Sequence, residues 1–181
     1  MDAQLVVEAL RATGAALGSG GVVIRAFVCG GSAGLLGGLL SQARTTSDCD
    51  VVWGGSDAEW KRLTTAATTA ATELGLPASW LNRESSIYAW CLPLGWAGRC
   101  EPVGKFGVLE VVRLSRWDLI AAKVVSAPKR PQDFQDLRQM RPTAEELSRV
   151  EEHLDRLEAE HLSGERFDEQ RVIVDALRGD T

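Results

Sequence analysis

Two neighbouring stretches decide the reading of this chain: Val28-Cys29-Gly30-Gly31-Ser32, and Arg44-Thr45-Thr46-Ser47-Asp48-Cys49-Asp50-Val51-Val52-Trp53. An apolar strand runs into a Gly-Gly-Ser turn, a helix of small residues follows, and Asp-x-Asp then sits in a second apolar strand. Strand alternation puts Asp48 and Asp50 on one face, two residues apart. Carboxylates so placed repel each other unless a cation or a proton lies between them.

Working outward, helical spacing over Ala3–Leu17 precedes a stop at Gly18-Ser19-Gly20-Gly21, and β-branched residues over Val22–Val28 predict the first strand. Gly30-Gly31 permits a tight turn, Ser32 is placed to cap a helix over about Ala33–Gln42, and Cys49–Trp53 is the second strand. Asp57 is the predicted cap of a helix over Ala58–Leu74. The apolar run Ile87–Leu92 predicts a further strand, and Pro93, Gly95, Gly98 and Pro102 mark turns after it. Val108–Arg113 predicts the next strand, with Glu110 the single acid in an apolar interval, which costs desolvation unless it is paired, exposed or bound to a cation. Ser115 then starts a helix containing Lys123. A short helix follows over Gln132–Met140, with Asp133 and Asp136 on one face. A capping box of Thr143 and Glu146 opens a helix to about His161, Leu162-Ser163-Gly164 turns the chain, and Phe167–Leu177 is a last helix.

The totals fit one domain: 181 residues, 45% apolar and 25% charged. The expected division is a core over residues 1–127 and a helical C-terminal extension, packed on it, over 128–181. A net charge of −5 argues against extended nucleic-acid binding while leaving room for a local anion site. The N-terminal stretch lacks a basic n-region and no window is apolar enough to cross a bilayer, so a cytoplasmic protein without membrane association is expected. Cys29, Cys49, Cys91 and Cys100 form no CxxC pair, and His153 and His161 lie on a charged helix, an unpromising set for zinc.

Asp48, Asp50 and Glu110 are the expected metal ligands. Magnesium takes oxygen donors and keeps waters or substrate phosphates in its remaining positions. A Gly-Gly-Ser turn at a helix start offers backbone N–H groups and a hydroxyl to phosphate. Together these describe metal-assisted phosphoryl or nucleotidyl transfer.

The series Gly30-Gly31-Ser32, Asp48-x-Asp50 and Glu110 resembles the nucleotidyltransferase superfamily of the polymerase-beta type. More narrowly it is similar to minimal bacterial nucleotidyltransferase-like proteins, including the toxin half of type IV abortive-infection toxin–antitoxin pairs. The narrower resemblance adds Arg44-Thr45-Thr46, Leu81-Asn82, Leu119-Ile120-Ala121-Ala122-Lys123, and Arg130, Asp133 and Asp136; it covers about residues 22 to 140. It implies an α/β fold, a small mixed twisted sheet flanked by helices. It implies nucleotide contacts from Gly30, Gly31, Ser32, Arg44, Lys123 and Arg130, and catalysis by Asp48, Asp50, Glu110 and Lys123. Asp133 or Asp136 would be a base or a salt-bridge partner of Lys123 or Arg130. Glu110 departs from the commoner Asp, and Pro131 interrupts the Arg-to-Asp segment.

The expected activity is magnesium-dependent nucleotidyl transfer from an NTP to a hydroxyl on RNA (tRNA among the relatives), protein or a small molecule. A cognate antitoxin is the implied partner. The alternative expectation is a catalytically silent member of the same fold acting as a binding or regulatory partner.

Overall fold

Asp2 begins the first helix, α1 (Ala3–Leu17), by accepting the Leu5 N–H at 2.8 Å, and Gly18 ends it. A computed structural model describes residues 1–160 and 166–179; His161 and the Leu162-Ser163-Gly164 turn lie outside them. Strand β1 (Ile24–Val28) starts two residues later than its β-branched run, because Val22 and Val23 are exposed and unpaired with the sheet. Helix α2 (Gly30–Leu36) starts and stops earlier than expected. Ser32 lies inside it, and its hydroxyl is used elsewhere. Strand β2 (Cys49–Val52) follows, then α3 (Asp57–Leu74), capped by Ser56 in a reciprocal capping box with Glu59 in place of the expected Asp57.

The largest departure comes next. Strand β3 is only Leu81–Asn82, and the apolar run after it is a 3-10 helix, Glu84–Cys91. Two residues complete β3 beside β2, and the chain then bends at Arg83. Ile87 and Tyr88 stand in solvent, so their β propensity is not rewarded by burial. Past α4 (Trp96–Arg99) comes an unexpected strand, β4 (Glu101–Phe106). Its Pro102 reads as a turn residue, yet β4 is an edge strand with a bulge between Pro102 and Gly104, the setting in which a sheet tolerates proline. Strand β5 (Leu109–Arg113), α5 (Arg116–Ser126), α6 (Pro131–Met140), α7 (Ala144–Glu160) and α8 (Asp168–Gly179) complete the chain. Thr143 and Glu146 bond reciprocally at the start of α7, as their spacing predicts.

The result is a mixed five-stranded sheet flanked by helices, in the order β3-β2-β1-β5-β4, with a C-terminal helical stretch. Strand β1 runs antiparallel to β2 and parallel to β5, and the outer pairs are parallel (β2–β3) and antiparallel (β4–β5). One face carries Ile24, Ala26, Val28, Val51, Leu109 and Val111 into the core beneath α1 and α3. The opposite face carries Phe27, Val52, Val112, Asp50 and Glu110, and Trp96 of α4 stands edge-on to Phe27 at 5.3 Å. Helix α5 packs on α2 and against α6, α7 and α8, which brings the charges of α5 and α6 to the end of β1. Among the described residues no helix is long and apolar enough to cross a membrane.

Candidate functional site

The site gathers where β1 ends. Cys29 stands opposite Asp50, its N–H donating to the Asp50 carbonyl at 2.9 Å, so the turn after β1 lies against the Asp50 carboxylate. Gly30 holds φ +62°, and a Cβ there would stand 3.0 Å from Asp50 Oδ2. Only glycine suits both the backbone and the space. A Cβ on Gly31 would lie 3.2 Å from Thr46 Oγ1 and 3.4 Å from the Arg44 guanidinium. The Ser32 hydroxyl donates to the Asp48 carbonyl at 2.7 Å, and the Thr46 hydroxyl donates to the same oxygen at 3.1 Å. The glycine turn, the Arg44–Thr46 loop and the two acids are therefore one structure. Ser32 fixes the backbone that carries Asp48.

Asp48 and Asp50 are both part-buried on this surface. Burial raises the Asp50 pKa and the Asp48 charge raises it further, while Arg130, Asn82 and Ser85 act in the opposite sense and do not cancel the rise. Asn82 holds its place because β3 pairs it with Asp50, and Ser85 reaches in from the 3-10 helix that follows. The sequence gives no sign of Ser85, because the strand-like composition of Ile87–Leu92 begins beyond it. Asn82 is marked there only by the narrower resemblance. Cys29 and Cys49 also adjoin the acids, but burial and the Asp50 charge push both thiols up, Cys49 to about 12, so neither is an activated nucleophile.

Beside this surface lies an ion cluster from α5 and α6. Lys123 donates to Asp133 at 2.6 Å and to Asp136 at 2.7 Å. Arg44 forks onto Asp136 at 2.9 and 3.4 Å, Gln132 donates to the same carboxylate at 3.1 Å, and the Ser126 hydroxyl donates to Asp133 at 2.7 Å. Burial alone would raise the Asp136 pKa, but the Arg44 and Lys123 bonds outweigh it and hold this carboxyl below the usual range. Arg130 reaches Asp133 only at 3.9 Å, with 63% of its side chain exposed. Pro131 leaves the segment undistorted, because it stands at the start of α6, where its missing N–H costs nothing.

Glu110 is not brought to this site. It pairs with Arg25 across the β1–β5 ladder and its carboxylate meets the Arg25 guanidinium at 3.6 Å. Asp50 stands at the level of Cys29, four positions farther along β1 than Arg25, or roughly 13 Å at ~3.3 Å per residue, and on the other side of that strand. Both side chains share a sheet face, which is what alternation could predict; the offset along the strands is what it could not. The β5 positions nearest the level of Asp50 on that face are Val112 and Leu114. Among the described residues, no group of three or more His, Cys, Asp or Glu side chains converges as a metal cluster.

The chain matches no family model, no curated protein and no solved structure.

Proposed function

We propose that the chain binds a nucleoside triphosphate with magnesium at Asp48 and Asp50 and transfers its nucleotidyl group to a hydroxyl acceptor, on a nucleotidyltransferase-like fold; the acceptor oxygen bonds the α-phosphorus, the hydroxyl gives up its proton, and the α–β phosphoanhydride breaks with pyrophosphate leaving. The observation that carries this reading is the close approach of Gly30 to the Asp50 carboxylate: a side-chain-free turn directly beside this acid and next to Arg44. Magnesium is commonly held by one or two protein carboxylates and completed by phosphate oxygens, so the pair suits it without a third ligand. When bound, the ion would neutralise charge developing on the transferred group. Gly30 and Gly31 let phosphate approach the backbone, Arg44 and the exposed Arg130 supply positive charge, and Ser32 and Thr46 hold the strand entrance in place. RNA, a protein such as a cognate antitoxin, or a small molecule fits the hydroxyl acceptor; the net charge of −5 favours the latter two.

One observation favours a second reading. With Glu110 engaged elsewhere, the acids at the site number two, and a silent protein that binds nucleotide in a regulatory role would need no more.

Calorimetric titration of NTP with magnesium tests the shared core of both readings. An Asp48→Ala, Asp50→Ala double variant is expected to lose binding, and Glu110→Ala to bind like the wild type. Unchanged binding by the double variant would sink the assignment. Incorporation of label from an α-labelled NTP into cell extract components then separates a transferring enzyme from a silent binder.

A further inference from the structure

Three cations stand near the acids, and their exposure ranks them: the Lys123 side chain is 2% exposed, Arg44 18% and Arg130 63%. We infer that Asp136 is a positioning residue that aims Arg44 at the nucleotide's phosphates, and that Lys123 is the buried counter-charge of this strut and touches no phosphate. The inference rests on the nucleotidyl-transfer reading of the same site.

Asp136 is fully buried and its oxygens are saturated: Oδ1 accepts from Arg44 Nε and Gln132, and Oδ2 accepts from Arg44 Nη2 and Lys123. A carboxylate offers about four lone-pair sites, so none is left for an acceptor's proton, and Asp136 is excluded as a general base. Lys123 spends two of its three donors on Asp133 and Asp136 at the floor of the cluster. Arg44 is different. Its bonds both go to Asp136, which fixes the plane of the fork, Nη2 lies 3.4 Å from where a Gly31 Cβ would stand, and 18% of the side chain stays exposed. Two carboxylates against Lys123 and Arg44 make the cluster neutral. A guanidinium has five N–H donors and gives two to Asp136, so phosphate can engage Arg44 without breaking the strut.

The test titrates magnesium–tripolyphosphate and magnesium–ATP into the full chain as wild type, Arg44→Gln, Asp136→Asn and the double variant. Each single change is expected to weaken both ligands about tenfold, the worth of one charge-assisted hydrogen bond, and the double variant to bind no worse than Arg44→Gln alone. Additive losses, or an Asp136→Asn protein that binds as the wild type does, would overturn the inference. If Asp136→Asn does not fold, Arg44→Lys decides: restored affinity means charge alone suffices and overturns it, whereas affinity as low as in Arg44→Gln supports the aimed fork. If both Arg44→Gln and Asp136→Asn bind normally while Asp48→Asn with Asp50→Asn abolishes binding, the inference falls and the nucleotide site stands. A wild type that binds neither ligand rejects both.

Discussion

Replacing Lys123 with methionine isolates what the buried charge cluster contributes. Methionine is nearly isosteric with the lysine stem, so little cavity opens and the loss is electrostatic. Removing one partner of a buried ion pair typically costs about 3–5 kcal/mol, because the remaining charge is stranded. Here the stranding is incomplete. Asp136 keeps the Arg44 fork and Gln132, and Asp133 keeps the Ser126 hydroxyl. The expected loss is thus at the low end, about 3 kcal/mol at neutral pH, or a fall in melting temperature of roughly 6–12 °C for a chain of this size. The pH dependence supplies a second constraint. Arg44 and Lys123 hold the Asp136 pKa below its ordinary value of 3.8 against the effect of burial. A depressed carboxyl contributes stability that is full above the unfolded-state value and is lost as pH falls through the folded one. The gap between wild type and Lys123→Met should therefore narrow as the medium is acidified below the ordinary Asp range. Urea unfolding followed by tryptophan fluorescence, at neutral pH and in acid, measures both. A loss under about 1 kcal/mol at neutral pH would refute the premise that this cluster is a closed, buried network, and so would a gap that does not change with pH.

Gly30→Ala should cost about 1–2 kcal/mol for a side chain in the left-handed region, and should also weaken magnesium–ATP binding by pressing on Asp50. Gly38→Ala, at φ +63° with open space around it, pays only the backbone cost, so equal nucleotide affinity in the two variants would remove Gly30 from the site. His153 of α7 is buried between the Cys91 carbonyl at 2.8 Å and Arg156 at 3.0 Å, and burial, aided by the Arg156 charge, holds its pKa below 6.5. Its charged form is disfavoured in the folded state, so stability should fall as pH drops below about 6.5 and His153→Gln should flatten that slope; melting temperature against pH reads it directly, and an unchanged slope would reject the assignment.

Much of the site is legible in the sequence because it is built from local patterns. Asp48 and Asp50 follow from alternation, the glycine turn from conformational freedom, and helix α5 from apolar spacing behind its Ser115 cap. The failures share a cause: each depended on what lay across the sheet. Pro102 disguises β4 because its tolerance comes from the strand's edge position. The run Ile87–Leu92 has strand composition, but its strand partner was already supplied by Leu81–Asn82, which left Tyr88 and Ile87 outside. Glu110 has the right face and the wrong level, and level is a property of the β1–β5 register, to which the period-two pattern is blind. Lys123 and Asp136, by contrast, are visible as charges on helices; the resemblance offers their pairing as one of several possibilities, and packing selects it.

The loss of Glu110 from the site sharpens what transfer would require. A hydroxyl acceptor must give up its proton as it attacks. Asp136 has no free oxygen, and Asp133 is held by Lys123 on one oxygen and by Ser126 on the other. Asp48 and Asp50 are the carboxylates left beside the turn. Burial and the neighbouring Asp48 charge raise the Asp50 pKa, which makes Asp50 a stronger base than an ordinary carboxylate. Under the nucleotidyl-transfer reading, Asp50 thus carries two demands that three-carboxylate sites divide between residues: closeness to the metal and readiness for a proton. A bound cation lowers the pKa of the carboxylate it touches, so the demands oppose each other. An acceptor hydroxyl already acidic, or one that delivers its proton to water, escapes the conflict, whereas an ordinary sugar hydroxyl does not. The same two acids that make nucleotide binding the most economical reading therefore make the choice of acceptor the point at which enzyme and silent binder part.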